Sequence, residues 1–323
     1  MNRRSFLGCA TATFAASTFA TWQLPRIAQA STGCALPDRM IDTHQHLWDL
    51  KTIYPSWLKG SSLLEKKFHL EEYAEATQGL PIQSIYMEVD VDDKDLDIEA
   101  AHVLGLCEQR KGLIAAVLGG RPNHPQFSAY LDRWRGRREF KGVRRVLHSD
   151  KTPTGFCLQP EFVKGIQELG KRDLHFELCM RPNELSDGAT LAKQCPETRF
   201  MVDHCGNANP DWYQHGATET AVKEVNEWKR SIEVLASLPN VYCKISGIIA
   251  RLKPNGDIAP IIHHCLDTFG PDRVVFGSDW PVCLSGSTLR VWVDSLVAII
   301  ANRSQDSQRK LWAENAIRFY RIG

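Results

Sequence analysis

Three short stretches of this 323-residue chain hold side chains suited to chemistry. Met40-Ile-Asp-Thr-His-Gln-His46 is an apolar run that ends in His-x-His. At i and i+2 on a strand, His44 and His46 project to one side. Imidazole is a good ligand for zinc and similar divalent ions. Phe200-Met-Val-Asp-His-Cys-Gly206 ends a second apolar run with His204, just before a glycine turn. Val274-Val-Phe-Gly-Ser-Asp-Trp-Pro281 ends a third with Asp279. A carboxylate leaving an apolar strand needs a partner, because burying it alone is costly. Asp279 therefore reads as a metal ligand, a general base, or both. The plainer alternatives are a turn cap before Pro281 for Asp279 and a satisfied core histidine for His204. Glu88 and Asp90 form a further acidic pair, for which a solvated turn is the competing reading. Basic groups surround these positions. Arg144, Val146 and His148 share one face of an alternating strand. Arg181 follows another strand, and Lys244 lies inside one, where supporting a wall is its other reading. Guanidinium groups there suit a carboxylate or a developing oxyanion. Trp48, Trp212 and Trp280 flank the histidines and the aspartate. They either wall a pocket for a ring-shaped substrate or pack its rim.

The elements that must position these residues recur with a fixed rhythm. Eight short apolar runs read as strands: 39–43, 82–88, 113–118, 142–147, 174–178, 199–203, 241–245 and 273–277. They repeat about every 33 residues, the length of a strand plus a helix. Between them, apolar residues three and four apart predict helices over 71–78, 98–110, 161–170, 218–238, 258–269, 289–301 and 307–320. Eight alternations predict an α/β fold of the (β/α)8, or TIM-barrel, type. An open α/β sheet is the alternative. No Gly-rich dinucleotide or P-loop motif follows any strand. In such a barrel the chemistry sits at the C-terminal strand ends, where His44, His46, His204 and Asp279 fall.

Composition narrows the function class. Lys+Arg total 39 and Asp+Glu 38, a formal charge of +1, which argues against a nucleic-acid binder. A mean hydropathy of −0.29 argues against a polytopic membrane protein. The first 30 residues read as a leader. Arg3-Arg4 precedes a stretch from Gly8 to Leu24 that is uncharged and rich in Ala, Thr and Ser, and Ile27-Ala-Gln-Ala30 follows after Arg26. This pattern resembles a bacterial twin-arginine export signal and predicts a periplasmic or otherwise exported protein handled by that machinery, without stable membrane insertion. Residues 31–323 would then form a single barrel domain. Loss of the leader removes three arginines and one of the ten cysteines. The odd remainder, placed in apolar runs, reads as buried thiols rather than a disulfide framework.

The ordered set of motifs resembles a known family. It comprises Ile41-Asp-Thr-His-Gln-His-Leu-Trp48, Lys141-Gly-Val-Arg-Arg-Val-Leu-His148, Val202-Asp-His-Cys-Gly206, Cys243-Lys-Ile-Ser-Gly247, Val275-Phe-Gly-Ser-Asp-Trp-Pro281 and Glu314-Asn-Ala-Ile-Arg-Phe-Tyr320. Together, across residues 39–322, these are similar to the amidohydrolase superfamily. Within it they resemble the amidohydrolase-related branch of sugar-lactone and dicarboxylate lactonases. The resemblance implies a (β/α)8 barrel and a hydrolase that opens the lactone ring of a small sugar acid or carboxylated lactone. It also implies Asp279 as general base and His204 as a second catalytic group. Arg144, His148, Arg181, Trp48 and Trp280 would contact substrate. Two-metal relatives carry a bridging lysine or glutamate on strand four and a histidine on strand five. Here Arg144 to His148 and Cys179 to Arg181 stand in those places. The implied cofactor is therefore one divalent ion, zinc first, on His44, His46 and Asp279, or none. The rival readings are a metal-dependent decarboxylase or hydratase of the same superfamily and a non-catalytic periplasmic sugar-acid binder. A homo-oligomer is compatible with the sequence.

Overall fold

The computed structural model describes residues 36–109, 112–214, 218–254 and 256–323. The leader that the sequence predicts over residues 1–30, with its boundary at residue 31, lies outside the described residues. Eight strands form one parallel sheet in sequential order: β1 Met40–Gln45, β2 Ile82–Met87, β3 Leu113–Gly119, β4 Phe140–Leu147, β5 His175–Met180, β6 Phe200–Val202, β7 Val241–Ile245 and β8 Val274–Phe276. Every strand lies where the apolar runs predict one. The sheet curls until its ends meet. Gln45 bridges Trp280 in parallel, and the His44 carbonyl accepts from Asp279 N at 2.8 Å. The fold is the (β/α)8 barrel that the strand–helix rhythm predicts.

Each helix buries one face on the outside of the sheet. In Glu219–Ala236 the buried positions are Trp228, Ile232, Leu235 and Ala236, three to four residues apart, and Thr218 caps the first turn. Two helices go beyond the sequence reading, Phe127–Arg133 and Leu185–Gln194. The first has only seven residues. The second contains Ser186, Asp187 and Gly188, which are poor helix formers. The helix predicted over 307–320 is instead three pieces, Gln305–Arg309, a π-turn at Lys310–Glu314, and Asn315–Tyr320.

That C-terminal segment plugs one end of the barrel. Ala313, Ala316, Phe319 and Tyr320 pack on Ile41, Ile85, Ala115, Val117, Met201 and Val275, which form a separate apolar cluster. The eight described cysteines are buried and free, as expected of small core residues. Among the described residues, no helix is long and apolar enough to cross a membrane.

Candidate active site at the strand ends

The two ends of the sheet are tied together by one carboxylate. Asp42 accepts from Ser278 N at 2.7 Å, Ser278 Oγ at 2.5 Å, His44 N at 3.1 Å and the Tyr73 hydroxyl at 2.9 Å. It thereby fixes β1 against the β8 turn. The β1–β2 pairing shifts register between Asp42 and Gln45, where His44 begins the His-x-His run. Asp279 and His204 both hold positive φ, 58° and 54°, a backbone conformation that non-glycine residues avoid. Each is the residue that turns a side chain from its strand end into the mouth. Gly277 and Gly247 make room there. A Cβ on Gly277 would lie 2.8 Å from the His44 Cβ, and one on Gly247 would lie 2.2 Å from His204 Nδ1.

The predicted triad converges. His46 Nε2 lies 3.3 Å and His44 Nε2 3.7 Å from Asp279 Oδ1, and the two rings meet edge to face. His46 Nδ1 lies 2.9 Å from the Met87 carbonyl. A carbonyl only accepts, so Nδ1 carries a proton and Nε2 is the nitrogen turned to the mouth, where a metal would take it. Zinc bonds of about 2.0–2.2 Å place adjacent ligand atoms a little over 3 Å apart. The ligand atoms of His44, His46 and Asp279 all fall within 4.8 Å of one another, so this donor set fits one divalent ion. Burial would raise the Asp279 pKa, but the surrounding imidazoles, His204 first, hold it well below the ordinary carboxylate range. Asp279 is therefore ionised. Burial pushes His204 down to about 4, against the pull of Asp279 and Asp203, so it is neutral near pH 7. Its Nδ1 pairs with Ser246 Oγ at 2.9 Å.

Beneath the triad lies a charged network that the sequence reading only touched. Lys244 is fully buried. Its Nζ lies 2.7 Å from Glu177 Oε2, 3.0 Å from Asp203 Oδ1 and 3.2 Å from His44 Nδ1. Burial opposes its charge, and Asp203 and Glu177 more than offset that, so its pKa is raised. Glu177 also accepts from the Tyr320 hydroxyl of the plug at 2.9 Å. A second cation, Arg144, is locked by Glu88: Nε donates to Oε1 at 2.5 Å and Nη2 to the Glu88 carbonyl at 2.6 Å. Its Nη1 stands 3.2 Å from His44 Nε2. Asp203, His204 and His44 form a second group of candidate ligands. Lys244 already neutralises Asp203, whose pKa is held well below the usual range despite burial.

Behind Glu88 sits Glu99, also buried. It accepts from the Tyr86 hydroxyl and Val89 N, each at 2.8 Å. Burial, then the charge of Glu88, pushes its carboxyl from 4.5 up to about 8. The folded state thus keeps a proton that the unfolded chain releases, so stability falls as pH rises between those two values. Replacing Glu99 with Gln is expected to remove that loss. Thermal unfolding would show E99Q gaining on the parent more at about pH 9 than at about pH 6.

Several sequence expectations take a different place. Arg181, expected to contact substrate, turns to the loop after β4. Its Nη1 donates to the Leu147 and Thr152 carbonyls at 3.0 Å each, and Nη2 to the Ser149 carbonyl at 2.8 Å, so it staples the loop after β4. Trp48 is not a pocket wall. It is fully buried between Trp57 and Phe68, and its Nε1 donates to the Lys66 carbonyl at 2.8 Å. Trp280 is likewise buried, edge-on to Phe68 and Tyr73. Trp212 packs near Trp228 and donates to Glu224 at 2.7 Å. His148 does stand exposed at the mouth. Its pKa is lowered by desolvation and then by Arg144, Arg251 and Arg181. Beside the β5–β7 loops a cleft of about 860 Å³ is lined by Asn183, Asn207, Trp212, Arg251 and Lys253, among others. Arg251 grips Asn207 there through two hydrogen bonds.

Comparison with known proteins places these features in context. The family profile described as amidohydrolase matches residues 41–322. An L-fucono-1,5-lactonase of Burkholderia multivorans is 26% identical over 299 residues, covering 87% of this chain and 96% of the relative. An L-rhamnono-gamma-lactonase of Scheffersomyces stipitis is 25% identical, covering 88% and 99%. A crystal structure of an amidohydrolase from Burkholderia multivorans with bound zinc superposes with a TM-score of 0.77 at 25% identity, covering 88% of this chain and all of that one.

Proposed function

This chain belongs to the amidohydrolase family, and from that membership we propose that it is a hydrolase that opens the lactone ring of a sugar acid by water attack. The observation that carries the proposal is the convergence of His44 and His46 on the ionised Asp279 at the barrel mouth. Two relatives that match nearly end to end are named as sugar-acid lactonases, one for a six-membered and one for a five-membered ring.

The residues divide the work. Asp279 accepts a proton from water as the water oxygen attacks the lactone carbonyl carbon. Positive charge for the developing oxyanion comes from the fixed Arg144 guanidinium, and neutral His204 contributes polar contact. When the tetrahedral intermediate collapses, the acyl carbon–ring oxygen bond breaks, and Asp279 returns its proton to the departing oxygen. His148 and Arg251 flank the mouth and suit the hydroxyl and carboxylate groups of the substrate. A divalent ion bound by His44, His46 and Asp279 would add Lewis-acid polarisation of the carbonyl.

Because Asp279 stays ionised well into acid, its own titration does not set the acid limb of the rate profile. Charging His204 places a cation beside Asp279 and weakens it as a base. kcat/KM is therefore expected to stay level from neutral pH down to about 5 and to fall near 4, as read from initial rates across pH. The function itself is tested by acid release from aldonolactones and carboxylated lactones, on metal-stripped and zinc-loaded protein. Saturable acid release supports the proposal. Carbon dioxide release from aromatic acids with inert lactones would point to the decarboxylase reading, and binding without turnover to a sugar-acid binder.

We further propose that residues 1–30 direct export through the twin-arginine route, on the strength of the paired arginines and the closing Ala28-Gln-Ala30. Changing Arg3 and Arg4 to Lys is expected to leave the protein in the cytoplasm, as followed by fractionation.

A further inference from the structure

We propose that Arg144 is a built-in competitor of the divalent ion for His44, so that this barrel carries one cation at the mouth whether or not a metal is bound. The inference rests on the His44–His46–Asp279 donor set and is independent of which substrate is turned over.

The proton positions on the two histidines carry it. A neutral imidazole has one nitrogen that donates and one that accepts. The Met87 carbonyl fixes His46 Nδ1 as a donor and leaves Nε2 as the nitrogen turned to the mouth, where no cationic side chain among the described residues competes for it. His44 is different, because cationic donors face both of its nitrogens: Arg144 Nη1 at 3.2 Å from Nε2, and Lys244 Nζ at 3.2 Å from Nδ1. It can accept from only one. With the proton on Nε2, that N–H would point at a guanidinium N–H. With the proton on Nδ1, the N–H faces Asp203 Oδ1 at 3.4 Å, and Nε2 accepts from Arg144. Either tautomer leaves one N–H facing a cation, 3.2 Å from Lys244 Nζ or from Arg144 Nη1. Each has a carboxylate nearby, Asp203 Oδ1 at 3.4 Å from Nδ1 and Asp279 Oδ1 at 3.7 Å from Nε2. The second is the tautomer a metal needs, and in it Nε2 faces Arg144. The lone pair that a metal would take is thus already held by Arg144.

Arg144 cannot simply withdraw. Glu88 grips it at Nε and Nη2, and the side chain is almost fully buried. A metal at His44 would sit beside a fixed positive charge, and like charges at that range repel strongly where water is scarce. Metal binding therefore costs either the Arg144–His44 hydrogen bond or that repulsion. The affinity is set low by a residue that is not a ligand.

The test reads zinc affinity by competition with a chromophoric chelator, and the cobalt absorption spectrum as a second signature. R144Q removes the competing charge. R144M/E88Q removes the pair together, and it decides the matter if R144Q fails to fold or if a freed Glu88 acts as a ligand. Both variants are expected to bind zinc roughly tenfold or more tightly than the parent. R144K, which keeps a charge there, is expected to stay near the parent. Adding H44N to R144M/E88Q should erase the gain. The proposal is overturned if R144M/E88Q binds within roughly threefold of the parent or more weakly. It is also overturned if a gain appears in R144Q alone or survives H44N. Absence of zinc binding in every variant would refute the donor set itself, whatever the lactone assay shows.

Discussion

Asp279→Asn is expected to lower kcat/KM by about 10³-fold or more while leaving the barrel folded. The amide keeps the shape of the side chain and the backbone bond from residue 279 N to the His44 carbonyl at 2.8 Å. It cannot take a proton from water, and it brings no negative charge to the His44 and His46 Nε2 atoms at 3.7 Å and 3.3 Å. General-base contributions are typically about 10²–10⁴-fold. Loss of the carboxylate as a candidate ligand acts in the same direction. Steady-state kinetics with matched thermal unfolding checks this, with an unfolding temperature close to that of the parent. Substantial residual turnover in a folded D279N would remove Asp279 from its role.

The largest effect on stability is expected at Lys244. Lys244→Met leaves Glu177 and Asp203 buried without their cation, 2.7 Å and 3.0 Å from where it stood. Breaking a buried ion pair from one side costs about 3–5 kcal/mol. Asp203 is the charge left stranded, because burial already pushes the Glu177 carboxyl up to about 8, so the lower part of that range is expected, as measured by urea unfolding. Adding Asp203→Asn to Lys244→Met removes the stranded charge and is expected to restore part of the loss. A Lys244→Met protein as stable as the parent would mean that the network is held by hydrogen bonds rather than by charge. The substitution also frees His44 Nδ1 from Lys244, so activity is expected to fall beyond what stability explains.

The barrel was legible in the sequence because each strand is a continuous apolar run with turn residues close behind it. That is the pattern of strands buried on both faces. The helices Phe127–Arg133 and Leu185–Gln194 were not legible. Leu185–Gln194 carries Gly188, whose small size serves packing on Met180, a contact invisible to local pattern. His44, His46, His204 and Asp279 stood out because polar groups that end apolar strands are unusual, and all four meet at the mouth. The network beneath them was harder to read. Lys244 pairs with Glu177 across 67 residues and with His44 across 200, and only closure of the sheet brings them together. A signal existed: Glu177 and Lys244 are each a lone charge inside an otherwise apolar strand, which buried strands tolerate only in pairs. Asp203, next to His204, was passed over for its neighbour. Of the three tryptophans, Trp48 and Trp280 pack inward and Trp212 lines the cleft, because an indole beside a functional motif packs inward as readily as it lines a pocket and nothing local tells the two apart. The hold that Arg181 takes on the loop after β4 was not legible for a similar reason, since its three carbonyl partners lie about thirty residues away.

Hydrolysis followed by continuous titration of released acid, with five- and six-membered aldonolactones and with parent and D279N protein side by side, bears most directly on the central claim. The expected result is saturable acid release by the parent on at least one lactone, lost in D279N. No acid release from any lactone by folded parent protein, with and without added zinc, or equal rates for parent and D279N, would contradict it.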